Sequence, residues 1–106
     1  MNEKSIWIGL VQVLSLPDSE VLKEVSGAYV TILTWASRPS EFREKAQELM
    51  DHLGLQLVRV EDEEPLSERA KKNELGPEIE QVASEVRENP QSIRYMTFHT
   101  WTEVNA

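Results

Sequence analysis

Between Ile6 and Leu14 the chain has no polar side. Ile6, Ile8, Leu10 and Leu14 alternate with Trp7, Gly9, Val11 and Val13. A strand that is apolar on both faces belongs in the interior of a sheet, with material covering each side. The pattern repeats from Ala28 to Ala36, where Ala28, Val30, Ile32 and Thr34 alternate with Tyr29, Thr31, Leu33 and Trp35. Between these strands, Pro17 to Glu20 offers a turn. The segment then reads as a loop, in which Val21, Leu22 and Val25 would give at most about two turns of helix with Asp18 as the cap.

The period changes after Ser37. Phe42, Ala46, Leu49, Met50 and Leu53 recur at the spacing of one helix face. Pro39 suits the first turn, and Gly54 suits the left-handed position that ends a helix. Leu55 to Val60 returns to a two-residue period and reads as a third strand, parallel to the second across the helical crossover. Leu66 and Ala70 mark a short helix, and Pro77 opens another with Ile79, Val82, Ala83 and Val86 on one face. After Asn89 and Pro90, the stretch Ile93 to Thr102 is rich in β-branched and aromatic residues and reads as one last strand.

The resulting order is β-β-α-β-α-β within a single domain spanning residues 1–106. The expected fold is α+β: a two-layer sandwich of ferredoxin-like type, with a four-stranded mixed sheet and two main helices on one face. Two helices on one face leave the other to be explained. The odd-numbered strand residues include every Trp and Tyr of the chain: Trp7, Tyr29, Trp35, Tyr95 and Trp101, joined by His99. Gathered on one side of the sheet, they would line a ligand cleft or a homodimer face.

Charge adds a second surface. The chain has 19 acids against 11 bases, a net charge of −8. Ten of those acids and four of the bases fall between Glu61 and Glu88. Such a balance argues against direct binding to nucleic acid or to an anionic membrane. It suits a basic protein partner, with Glu61, Asp62, Glu63, Glu64 and Glu68 as the expected contacts. Four consecutive carboxylates lack the alternating spacing of a calcium loop, so no metal is expected there.

Catalytic signals are sparse. No cysteine is present, which removes disulfides and thiolate chemistry. His52 falls in the last helical turn, where it suits the negative end of the helix dipole. His99 has no nucleophile or carboxylate at a recognised spacing beside it, so no catalytic residue and no cofactor are assigned. The apolar run from Ile6 is too short to span a bilayer and lacks a basic leader, which points to a cytoplasmic chain.

The leading expectation is therefore a small acidic, non-enzymatic module that docks a basic partner, as immunity proteins and small inhibitors do. The alternative is a dimeric α+β-barrel protein that binds a small hydrophobic ligand, with His99 as a base.

Overall fold

A computed structural model describes residues 4–16 and 26–101. The proposed cap at Asp18 and the stripe Val21, Leu22 and Val25 lie outside these residues. Five strands and three helices follow in the order β1 (Ser5–Ser15), β2 (Gly27–Ala36), α1 (Pro39–Leu53), β3 (Leu55–Pro65), α2 (Leu66–Lys72), α3 (Pro77–Glu88), β4 (Ile93–Tyr95) and β5 (His99–Trp101). The fold is α+β, as the alternation of periods indicates.

The sheet order is β3-β1-β2-β4, with β5 also paired to β2. All four strand pairings are antiparallel. The expected β2–β3 neighbourhood is therefore corrected. The two strands do run in the same direction, but β1 lies between them and pairs with both. The doubly apolar pattern of β1 has its physical cause here, because β1 is a central strand covered on each face.

Two hydrophobic layers flank the sheet. On one side Trp7, Val11 and Val13 of β1 and Val30 and Ile32 of β2 pack with Phe42, Ala46 and Met50 of α1. On the other, Ile6 and Ile8 of β1 and Leu33 of β2 pack with Leu66 of α2 and Ala83 and Val86 of α3. The helices thus divide between the two faces, and the expected two-layer sandwich with both main helices on one side is corrected to three layers.

Alternation along β1 makes this division obligatory. Successive side chains point to opposite faces, and both sets are buried. Burying a Val, Leu or Ile side chain stabilises by about 1.5–3 kcal/mol, so each layer contributes strongly.

The last strand is two strands. Tyr95 pairs with Ile32, whereas His99, four positions later, pairs with Tyr29, three positions earlier in β2. The outer chain has one more residue than its partner over this interval, which is the signature of a bulge. Met96 still donates its backbone N–H to the Thr31 carbonyl at 2.9 Å. Because the count slips by one, the side chains change face: Met96 joins the α2–α3 layer and Phe98 the α1 layer.

The strand after α1 is also longer than its apolar stretch suggests. β3 continues through Glu61–Glu64 to Pro65. Its pairing with β1 shifts between Ile8 and Leu10 and again between Gln12 and Val13. Asp62 takes up one irregularity with φ 55°, a left-handed conformation. Charges and bulges on this outer strand discourage edge-to-edge pairing with another sheet.

Candidate functional site

The carboxylates of β3 and α2 have cations of their own. Glu61 pairs with Arg59 at 3.1 Å, Glu63 with Arg43, and Glu68 with Lys71 at 3.2 Å. Glu64 is held twice, by Arg69 at 2.6 Å and Lys72 at 2.8 Å. Those two hydrogen bonds hold its carboxyl below the ordinary carboxylate range, against a smaller opposing effect of burial. Arg69 also donates to the backbone carbonyl of Asp62 at 2.9 Å. The acidic stretch is thus an ordered strand laced to α1 and α2, rather than a solvated run beyond the end of a strand.

Only Asp62 of the five expected contacts has no cation within ion-pair distance among the described residues. The other exposed carboxylates without an ion pair among the described residues are Glu44, Glu48 and Asp51 on α1, Glu74 before α3, and a group on α3 itself. Glu78, Glu80, Glu85 and Glu88 are all exposed on it. Glu85 lies 4.0 Å from Arg94, while Glu78, Glu80 and Glu88 have no ion-pair partner among the described residues. Glu78, Gln81, Glu85 and Glu88 recur at the spacing of one helix face, opposite buried Ala83 and Val86. Their chain positions lie inside the acidic half read from sequence, but which of its carboxylates stay unpaired depends on the tertiary fold.

The aromatic set does not share one face, and the expected common surface is corrected. Partners across β1 and β2 have opposite parity, as in Trp7 opposite Thr34 and Val11 opposite Val30. Trp7 consequently packs in the α1 layer, while Trp35 packs in the α2–α3 layer. Tyr95 stands beside Ile32 on the α1 side, with its ring 5.4 Å from that of Phe98. Tyr29 and His99 are cross-strand partners on the opposite side, and Trp101 pairs through its backbone with Gly27. Tyr29 and Tyr95 are 37% and 42% exposed, so each aromatic face has an open end. No side-chain hydrogen bond joins the His99 imidazole to another described residue.

His52 is where the helix dipole favours a cation, in the last turn of α1. It borders a cleft of about 360 Å³ with Lys45, Glu48 and Gln91. Lys45 donates to the Trp35 carbonyl, and burial lowers the pKa of its ammonium.

A second cleft of about 360 Å³ opens between β1, Trp35 and the α2–α3 layer. Ile6, Leu66 and Leu75 form its apolar wall, and Lys4 and Arg87 its charged margin. Its residues come from distant parts of the chain and share no motif, so only Trp35 among them stands out in sequence.

Among the described residues no group of three His, Asp or Glu is arranged to hold a metal ion, and no helix is long and apolar enough to cross a membrane. Comparison with protein-family models, curated proteins and solved structures gives no match.

Proposed function

We propose that the protein is a non-enzymatic protein-binding module whose partner is basic, in the manner of a small inhibitor or immunity protein. The observation that supports this reading is the set of exposed carboxylates on α3, of which Glu78, Glu80 and Glu88 have no cation among the described residues. Exposed like charges raise the local negative potential and steer a basic surface toward it. The carboxylates of β3 and α2 are weaker contacts, because a partner would compete with Arg43, Arg59, Arg69, Lys71 and Lys72 for them. Asp62 remains available beside them.

Affinity capture from the source organism at low and high salt tests the proposal. A basic partner should be retained at low salt and released as salt screens the contact. The variant Glu78→Gln/Glu80→Gln/Glu88→Gln should lose it while keeping its fold. Retention of the same partner by this variant, unchanged by salt, would overturn the reading.

The alternative, a dimer enclosing a small hydrophobic ligand near His99, draws on the exposed Tyr29–His99 pair. Sedimentation of the free protein separates the two readings, since the first needs no dimer.

A further inference from the structure

We propose that the cleft beside Trp35 binds a small apolar carboxylate, an aryl or alkyl acid, with its hydrocarbon against Trp35, Ile6, Leu66 and Leu75 and its carboxylate at Arg87 and Lys4. This goes beyond the docking of a basic partner and stands on separate observations.

Trp35 provides the first. Its Nε1 donates to the Val86 carbonyl at 2.7 Å, which fixes the ring against α3 and satisfies its one polar atom. What the indole still presents to the cleft is apolar ring surface, already oriented. Ile6 and Leu66, both core residues, continue that surface inward. A volume of about 360 Å³ falls at the small end of ligand pockets, enough for one or two fused rings or a short chain.

Charge provides the second. In a chain of net charge −8, both charged side chains lining this cleft are basic. Arg43, Arg59, Arg69 and Arg94 each have a carboxylate partner. Among the described residues, Arg87 has neither a carboxylate partner nor a hydrogen bond to its guanidinium. Its place in the last turn of α3 suits the helix dipole, but that interaction leaves its planar donors unfilled. A carboxylate is the partner whose geometry fits that fork. Lys4 is held 3.1 Å from Glu41 and adds a weaker attraction. Ser5 and Ser67 supply hydroxyl donors at the same margin.

Isothermal titration of the whole protein with 2-naphthoate, and with 2-naphthamide as its neutral counterpart, tests the inference. We expect saturable naphthoate binding, with the amide weaker by about tenfold, the loss of one charge-assisted hydrogen-bonded contact. Arg87→Gln should weaken naphthoate by a similar factor and leave the amide unchanged. Ala70→Trp, which fills the cleft from the exposed side of α2, should abolish both while circular dichroism shows the fold retained. Equal affinity for acid and amide, indifference to Arg87→Gln, binding that survives Ala70→Trp, or no binding by the folded wild type would each overturn it.

Discussion

A Cβ added to Gly9 would stand 2.7 Å from Cε1 of Phe42 and 2.8 Å from its Cζ. Gly9 is a buried position in the central strand, and Phe42 is fully buried in α1. The helix therefore rests on the strand where the strand has no side chain. Close backbone approach, rather than freedom of φ, is the reason for glycine here.

Gly9→Ala is expected to destabilise the protein by about 1–3 kcal/mol, because a fully packed ring must move to admit one methyl group. Gly76→Ser is the contrasting substitution. A Cβ at Gly76 meets nothing within 4 Å, and the residue is the N-cap of α3 with no side-chain cap bond. A serine there should gain a few tenths of a kcal/mol to about 1 kcal/mol. Urea unfolding of both variants checks the pair, and equal midpoints would refute the packing argument.

Asp62 takes a left-handed backbone conformation, φ 55°, within a long strand. Glycine adopts it at no steric cost, whereas a β-branched residue meets its own carbonyl there. Asp62→Val should cost about 1–2 kcal/mol more than Asp62→Gly. If thermal unfolding ranks the two the other way, the bulge does not hold this conformation in solution.

Glu64 couples stability to pH. Its folded pKa lies below the ordinary 4.5 because Lys72 and Arg69 hydrogen-bond the charged carboxylate. The sign follows from linkage: the stabilisation is complete above about pH 4.5 and is lost as pH falls through the lowered folded value. Glu64→Gln should be less stable than wild type at pH 7, with the gap closing under acid. Denaturation midpoints at neutral and acid pH measure it, and a gap that stays constant would contradict the assignment.

The indole of Trp35 ties β2 to the last turn of α3 through Val86. Trp35→Phe removes the donor and some volume, for an expected cost of about 1–3 kcal/mol. The loss should be local. Amide exchange near Asn89, whose N–H shares the Val86 carbonyl, should quicken more than exchange in α1.

Charge changes should sort by pairing. Glu63→Gln and Glu64→Gln remove partners of Arg43, Arg69 and Lys72 and should lower the melting temperature. Glu88→Gln, at the C-terminal end of α3 where a negative charge opposes the dipole, should leave it unchanged or raise it slightly. Differential scanning calorimetry in low salt distinguishes the two groups, and a uniform response would show that the β3 ion pairs are not formed.

The amino-acid pattern by itself determined where most elements lie, though not the split of the last strand or the full length of β3. The 3.6-residue stripe of α1, the proline at the start of α3, and the double-faced alternation of β1 and β2 are local signals that burial then obeys. It also located the acidic half of the chain. Tertiary structure alone decided which faces meet. Strand parity says that Trp7 and Trp35 each alternate with their neighbours, but not that Trp7 would stand opposite Thr34 and so on the other side from Trp35. Register is a relation between two strands, and a shift of one residue reverses every side chain of a strand. The last strand shows the same dependence within one segment. One extra residue between Tyr95 and His99 sends them to opposite faces, and what reads as a single aromatic strand from Ile93 becomes two short ones serving two layers. The ion pairing of Glu63 and Glu64 was equally hidden, since their cations come from α1 and α2 and only folding brings those charges within reach.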